Sequence, residues 1–293
     1  MKTALYYLIT KENESLITGN AKITGVIGYP IGHSLSPRLH NYWLQSNKID
    51  GVYIPLKIEA NDLQKVIRLL PPLGFVGANI TIPYKEEVFK LVDAKTERAD
   101  KIGAVNTIFI DKDSSIIGDN TDGFGFISNL ESSINIGSKL TGAATVIGAG
   151  GAAKAIISSL YSTSISEIRL VNRTRQKADD LAQAFGGKIQ VYDWKERHNI
   201  LDNTAVLINT TSLGMEGKPE LNIDLKKLPI RAVVTDVVYS PLLTPLLKAA
   251  QQRGNDVVDG LGMLIYQAIP GFQAWYGIKP DVTQDLRAHL LAK

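Results

Sequence analysis

The sequence contains no cysteine, which excludes disulfide frameworks, thiolate nucleophiles and cysteine-type zinc sites. Histidine is scarce as well: only His33, His40, His198 and His289 occur. No two of them stand four residues apart, the spacing that puts two ligands on one helical face, so no metal is expected. Neither sign of charge dominates, since 32 Lys and Arg against 29 Asp and Glu leave a formal +3 over 293 residues. With no dense basic block, a nucleic-acid partner is not expected. No apolar run is long enough to span a bilayer, and Ala4 to Ile9 is shorter than a signal-peptide core and runs into Lys11-Glu-Asn-Glu14. Neither a membrane partner nor export is therefore expected, and the expected location is cytoplasmic.

What is present is the composition of a globular protein, 44% hydrophobic and 21% charged, with enough chain for two domains that each bury a core. The most informative stretch is Thr145-Val-Ile-Gly-Ala-Gly-Gly-Ala-Ala153. It reads as a buried strand, a glycine turn and an amphipathic helix over about 152–161, with a second strand ending at Val171. Gly148 suits the tight turn and Gly150 lets the backbone approach a pyrophosphate. Ala153 stands where a small residue allows close packing of helix on sheet. The free N–H groups at the helix start face the phosphates. A glycine turn between strand and helix can also be a plain connection, but the second strand argues for a nucleotide. Where an NAD site usually places a carboxylate on the ribose, this chain has Asn172-Arg-Thr-Arg175 with Lys177 just after. Guanidinium groups bind a 2′-phosphate that a carboxylate would repel, so the reading is NADP(H).

Ahead of this unit, strands and helices alternate over residues 23–120 as a domain of their own. Strands are expected at 23–28, 52–56, 75–82 and 104–110, after which Lys112-Asp-Ser turns the chain into Ile116-Ile117, and helices at 37–46, 61–70, from Pro83 onward, at 96–102, and after the Gly118–Gly123 segment, carrying Phe124, Ile127 and Leu130. Ser36 before Pro37 has the form of an N-cap with Pro at the first helical position, so its hydroxyl has a structural reading beside a ligand contact. Ser34, in the turn beyond a strand end, suits an anion such as a carboxylate. Lys85 sits where the carboxyl end of a strand meets a helix, the edge that carries chemistry in open α/β sheets; its alternative is an ordinary solvated lysine. Asp119, Asn120 and Asp122 are all cap or turn residues by type, and only one needs a further role. Asn209 to Ser212 follows a strand, as loop or as nucleotide lining. Later helices are expected at 176–185, 244–253, 261–275 despite Pro270, and 281–291. Residues 1–22 are open between an added strand and a loose arm. With no flexible linker in the chain, the cleft between the two domains is the default site.

An ordered series of motifs runs from about residue 23 to the C-terminus: Gly32-His-Ser-Leu-Ser-Pro37, Gly77-Ala-Asn-Ile-Thr-Ile-Pro-Tyr-Lys85, Gly103-Ala-Val-Asn-Thr107, Asp119-Asn-Thr-Asp-Gly123, Gly148-Ala-Gly-Gly-Ala152, Asn172-Arg-Thr174, Asp236-Val-Val-Tyr-Ser-Pro241, and Asp259-Gly-Leu-Gly-Met-Leu264 with Gln267. In this series the chain resembles the shikimate dehydrogenase family. The resemblance implies an α/β enzyme with an N-terminal substrate domain and a Rossmann-type, doubly wound NADP-binding domain, and a cleft between them. It implies reversible NADPH-dependent reduction of 3-dehydroshikimate to shikimate, on the chorismate route to aromatic amino acids. It also implies that the last helices return to the first domain, giving residues 1–122 with 260–293 as the substrate domain and 123–259 as the cofactor domain.

Carried over by motif, Ser34 and Ser36 bind the substrate carboxylate with help from Tyr239. Thr81, Asn106 and Gln267 contact the ring hydroxyls, and Lys85 and Asp122 form the catalytic pair. Gly148, Ala149, Gly150, Gly151, Ala152, Asn172, Arg173, Thr174, Lys177, Val237 and Gly260 belong to the cofactor side. The chain is expected to act on a small molecule as a monomer or homodimer. Two departures stand out: the segment before residue 23 is longer than the family's compact form, and Val237 stands where members often carry Met. The competing readings are an NAD-dependent quinate/shikimate dehydrogenase and a non-catalytic NADP-sensing regulator on the same fold.

Overall fold

Apolar strands alternating with amphipathic helices assemble into two six-stranded sheets in the computed structural model, which describes residues 17–134 and 140–292. Most of the N-terminal segment whose role the sequence leaves open, up to residue 16, lies outside the described residues.

The first sheet is built from β1 (Lys22–Gly28), α1 (Ser36–Ser46), β2 (Gly51–Lys57), α2 (Leu63–Leu69), β3 (Gly77–Ile80), α3 (Lys85–Leu91), β4 (Ala94–Lys95), α4 (Glu97–Ile102), β5 (Thr107–Ile110) and β6 (Ile116–Asp119), in strand order β2-β1-β3-β5-β6-β4. β1 runs parallel to β2 and β3, whereas β5 is antiparallel to both of its neighbours, β3 and β6. The strand expected over 104–110 begins only at Thr107, because Val105 and Asn106 turn their backbone N–H groups to Lys85 and Asp119 instead. The two-residue β4, which the sequence pattern does not signal, pairs with β6 at the sheet's edge.

The chain then forms α5 (Asp122–Ser133), β7 (Gly142–Ile147), α6 (Gly151–Leu160), β8 (Ile165–Val171), α7 (Arg175–Phe185), β9 (Ile189–Tyr192), β10 (Thr204–Asn209), β11 (Val233–Asp236), α8 (Pro245–Gln252), β12 (Asp256–Val258), α9 (Gly260–Tyr276) and α10 (Gln284–Leu291). Strands β7 to β12 make a wholly parallel sheet in the order β12-β11-β10-β7-β8-β9. Counted from β7, that is the doubly wound 3-2-1-4-5-6 arrangement, whose ligand crevice opens where the order reverses, between β7 and β10.

Helices α5 and α9 tie the two sheets together. Phe126 and Leu130 of α5 enter the core of the parallel sheet, while Leu261, Ile265, Ala268 and Phe272 of α9 pack with Trp43 and Tyr53 on the first sheet. The helices cross so closely that glycines are required on both: a Cβ on Gly125 would lie 2.6 Å from the Gln267 backbone N, and one on Gly262 would lie 1.7 Å from Asn129 Oδ1. α9 remains one continuous helix through Pro270, and its Trp275 donates to the Ile108 carbonyl of β5 at 3.1 Å. Asp259 caps α9 by accepting from the N–H groups of Leu261 and Gly262.

Candidate active site

The sequence logic of α3 and α5 places two charges face to face. Each helix starts a short turn after a strand end, beyond Ile80 and Asp119, and Lys85 and Asp122 are their respective first residues. Lys85 Nζ lies 2.5 Å from Asp122 Oδ2, with side-chain exposures of 22% and 8%. The other carboxylate oxygen, Oδ1, accepts from Asn106 Nδ2 at 2.7 Å. With both oxygens engaged the carboxylate is fixed in orientation. The ammonium has spent one of its three donors and keeps two for a further partner.

Among Asp119, Asn120 and Asp122 the division of labour is clear. Asp119 is buried and bound by Arg98 at 2.5 Å and by the Thr96 hydroxyl. Asn120 is structural, its Nδ2 donating to the Ala104 carbonyl and its Oδ1 accepting from the Asp122 N–H. Only Asp122 meets the lysine.

Asn106 joins three elements. Its Nδ2 also reaches Gln267 Oε1 on α9 at 3.2 Å, and its Oδ1 accepts from the Thr121 N–H at 2.9 Å. Gln267 Nε2 is held by the Leu264 carbonyl at 2.9 Å. Thr81 leaves β3 with its N–H on the Ile27 carbonyl, and its methyl group occupies the space a Cβ on Gly28 would need, 2.4 Å away. The structure thus gathers Lys85, Asp122, Asn106 and Gln267 into one hydrogen-bonded group, with Thr81 four residues before the lysine.

The reading of Ser36 as an N-cap is not what the structure shows. Leu35 already has helical dihedrals, so the chain enters α1 one residue early and Ser36 becomes its first helical residue, with no side-chain cap. The hydroxyl that accepts a helix-start N–H is Ser34 Oγ, 3.3 Å from the Ser36 nitrogen. Ser36 is buried and lies beside the Tyr53 hydroxyl. Tyr239 flanks the apolar cluster that includes Ile31 and, at its edge, Leu35. Burial raises its phenol above the usual range.

On the parallel sheet, Gly148 has φ +111, and a Cβ there would meet Thr210 Oγ1 at 2.5 Å, so only glycine makes this turn. Thr210 itself is spent on the Ile147 carbonyl. A Cβ added to Gly150 or Gly151 would meet nothing within 4 Å among the described residues, so the backbone is open at the start of α6, the form that admits a diphosphate. Ala149 is buried and Ala152 half-buried between and after these glycines. Beyond β8, Asn172 Nδ2 holds the Thr174 carbonyl at 2.8 Å. Arg173, Thr174 and Lys177 are exposed, and among the described residues Arg173 has no ion-pair partner. Arg175 differs, being occupied by Asp193 at 2.7 Å and Asp179 at 3.5 Å. Val237 and Gly260 meet directly, since a Cβ on Gly260 would strike the Val237 carbonyl oxygen at 2.5 Å. These residues fit a dinucleotide carrying an added phosphate: an open glycine turn for the diphosphate and an unengaged guanidinium at the strand end beyond it.

The two halves meet next to the lysine. Glu86, its neighbour on α3, is 2.5 Å from Lys154 on the first turn of α6, and Ile102, Ala104 and Ala155 form a small apolar contact behind. A surface hollow of about 350 Å³ between α4, α5 and α6, lined by Arg98, Lys101, Phe124 and Ser158 among others, does not include Lys85 or Asp122.

The sequence pattern gives no role to Tyr53, Asn79 or Thr107, although two of them lie inside quoted motifs. All three are buried polar residues hydrogen-bonded to one another beneath the site.

The chain is similar to known proteins over most of its length. The model of the shikimate dehydrogenase substrate binding domain matches residues 26–108, and that of shikimate / quinate 5-dehydrogenase matches residues 133–215. A shikimate dehydrogenase (NADP(+)) of Paramagnetospirillum magneticum is 49% identical over 276 residues, covering 94% of this chain and all of the relative. A crystal structure of a shikimate dehydrogenase in complex with NADP+ superposes with a TM-score of 0.86 at 35% identity, covering 94% of this chain and 96% of that one. The Thermus thermophilus shikimate 5-dehydrogenase in complex with NADP(H) and shikimate gives a TM-score of 0.81 at 31% identity, covering 92% and 98%. Similar across both sheets and nearly its whole length, the chain belongs to the shikimate dehydrogenase family.

Proposed function

We propose that the chain catalyses the reversible reduction of 3-dehydroshikimate to shikimate with NADPH, a step toward chorismate and the aromatic amino acids. The observation that carries this reading is the Lys85–Asp122 pair at 2.5 Å, locked by Asn106 and set beside the open glycine turn. Residues 1–122 with 260–293 form the substrate domain and 123–259 the cofactor domain, in a monomer or homodimer.

When bound, NADP(H) supplies or receives the hydride at the carbon bearing the reacting oxygen. The carbonyl oxygen then gains negative charge and needs a proton. Lys85 is placed to give one of its two remaining N–H protons to that oxygen and to stabilise the charge as it develops, while Asp122 orients the ammonium. In the oxidative direction the neutral amine takes the proton back. Ser34 and Ser36, with Tyr239, bind the carboxylate at the far end of the ring. Thr81, Asn106 and Gln267 read the hydroxyls between. Gly148, Ala149, Gly150, Gly151 and Ala152 would cradle the diphosphate, Asn172, Arg173, Thr174 and Lys177 would take the adenosine end with its 2′-phosphate, and Val237 and Gly260 would line the nicotinamide side.

The relatives named for NADP(+) weigh against the NAD-dependent alternative, and a sensing regulator would have no use for a locked lysine–carboxylate pair. The test is a set of initial rates with shikimate and quinate, each with NADP+ and NAD+. Fastest turnover of shikimate with NADP+ is expected. Turnover of quinate with NAD+ at equal or greater efficiency would refute the assignment, as would no turnover with any pair.

A further inference from the structure

Beneath the catalytic group runs a line of buried polar side chains. Tyr53 OH donates to Asn79 Oδ1 at 2.7 Å, Asn79 Nδ2 donates to Thr107 Oγ1 at 3.0 Å, Thr107 Oγ1 donates to Asn106 Oδ1 at 3.0 Å, and Asn106 Nδ2 donates to Asp122 Oδ1 at 2.7 Å. The direction of every link is fixed by chemistry. Asn79 Nδ2 also faces the Asn106 carbonyl, a pure acceptor, at 3.2 Å, so the Asn79 amide points its NH₂ toward Thr107 and its oxygen toward Tyr53. Having accepted from Asn79, the Thr107 hydroxyl directs its proton to Asn106 Oδ1 at 3.0 Å, nearer than Thr121 Oγ1 at 3.4 Å. Thr121 cannot take over that role with its hydroxyl, whose proton is held by the Gln267 carbonyl at 2.8 Å. Asn106 Oδ1 is therefore held by two donors, the Thr121 N–H and the Thr107 hydroxyl, and its NH₂ is turned toward the carboxylate.

The residues in the line are nearly inaccessible: Tyr53 is 1% exposed, Asn79 5%, Thr107 0% and Asn106 2%. At such sites an amide flip would set like against like with no water to repair it. Burial raises the Tyr53 phenol well above its usual range, which keeps the far end of the line a donor.

We propose that Tyr53, Asn79 and Thr107 are positioning residues, a one-way donor line that fixes the amide of Asn106 and through it the Lys85–Asp122 pair, with Thr107 as the decisive link. The inference rests on the dehydrogenase reading above. Among the described hydrogen bonds none of the three touches Lys85 or Asp122 directly; they act through Asn106.

Thr107 allows a test that separates positioning from packing, because its methyl also fills space, lying 3.2 Å from where a Cβ on Gly271 would be. Thr107→Val keeps the shape and removes the hydroxyl; Thr107→Ser keeps the hydroxyl and removes the methyl. Each variant is assayed for kcat and KM with shikimate and NADP+, and for thermal midpoint. Thr107→Val is expected to lower kcat about 10-fold, the worth of one buried hydrogen bond, with KM for NADP+ unchanged. Thr107→Ser is expected to retain wild-type kcat even though its midpoint falls. Wild-type kcat in Thr107→Val, or kcat tracking the midpoint in both variants, would overturn the proposal. If Thr107→Val does not fold, Tyr53→Phe, which keeps the ring in place, decides: a kcat lowered about 3-fold at unchanged KM for NADP+ supports the line, and an unchanged kcat overturns it. An inactive wild-type enzyme would instead overturn the dehydrogenase reading, and this inference with it.

Discussion

His40 offers a prediction whose size follows from its surroundings. It lies on α1, one turn after Ser36, with no solvent exposure. Its ring stacks on Tyr53 at 4.0 Å and 3° and is ringed by Trp43, Phe272 and Trp275 at 5.7, 5.9 and 5.6 Å. Among the described residues neither ring nitrogen has a hydrogen-bond partner. Burial makes the imidazolium costly, and the pKa falls from 6.5 to about 3, with Asn79 beside the ring opposing the shift. Because the folded value is depressed, the unfolded chain takes up the proton first. The stability contribution of neutral His40 is complete above pH 6.5 and is lost progressively as the pH falls toward about 3. Each pH unit inside that window costs about 1.4 kcal/mol, so moving from about pH 7.5 to about pH 5 should cost about 2 kcal/mol through this residue alone. Against a total of roughly 5 to 15 kcal/mol, that is a visible loss.

The perturbation is His40→Phe, which keeps an aromatic ring against Tyr53 and removes both orphaned nitrogens. The assay is urea unfolding of wild type and variant across that pH range. Repacking sets a constant offset between the two curves; titration of His40 sets their divergence. The variant should gain about 2 kcal/mol on the wild type between about pH 7.5 and about pH 5. His198, depressed by partial burial and by Arg197, and Asp236, raised by burial, titrate in both proteins and cancel in the difference. Curves that stay parallel over the whole range would refute the reasoning, because they would mean that the folded imidazole takes up its proton as easily as the unfolded one.

How much of this was legible in the sequence differs between the two halves. The parallel sheet announces itself: its strands are near-continuous apolar runs, its glycine turn has a physical reason at each position, and right-handed crossovers then leave little choice of strand order. The first sheet is harder. β5 and β6 are four residues each, and nothing in Thr107–Ile110 or Ile116–Asp119 distinguishes an antiparallel insertion from further parallel strands. The seat of α9 on the first sheet is likewise invisible to periodicity, which reports that a face is apolar but not what covers it. At the site, Lys85 and Asp122 became distinguishable from ordinary surface residues only through the series of motifs around them. Ser36 is not the cap, and Ser34 accepts its N–H instead, because one residue of helix start, below the resolution of sequence patterns, decides which hydroxyl meets the free N–H. Tyr53 and Thr107 stayed hidden for a different reason. Aromatic and β-branched residues are what strands prefer anyway, so their polar function left no mark on the pattern.

The catalytic and cofactor assignments make direct predictions. Lys85→Ala should lower kcat by about 100-fold or more while shifting the KM for shikimate far less; a raised KM at unchanged kcat would reduce the lysine to a substrate grip. Arg173→Ala should raise the KM for NADP+ by about 10-fold or more through loss of a charge-assisted contact and leave NAD+ unaffected, and equal losses for both would remove Arg173 from the 2′-phosphate. The third concerns how the two halves are joined. A methyl on Gly262 would fall 1.7 Å from Asn129 Oδ1, so Gly262→Ala must displace either Asn129 or the whole crossing of α5 and α9. Asn129 is not free to leave, because its Nδ2 donates at 2.7 Å to the carbonyl of Asp259, whose carboxylate caps α9 and holds Arg287 at 2.7 Å. The substitution should therefore cost at least about 2 kcal/mol of stability, read as a lower urea midpoint. It should also reach the chemistry, since α5 begins with Asp122 and α9 carries Gln267, both bonded to Asn106. A fall in kcat beside the fall in stability is the expected outcome. A variant with wild-type midpoint and wild-type kcat would mean that the helices can part without cost, and that their close crossing is not what keeps Asn106 between Asp122 and Gln267.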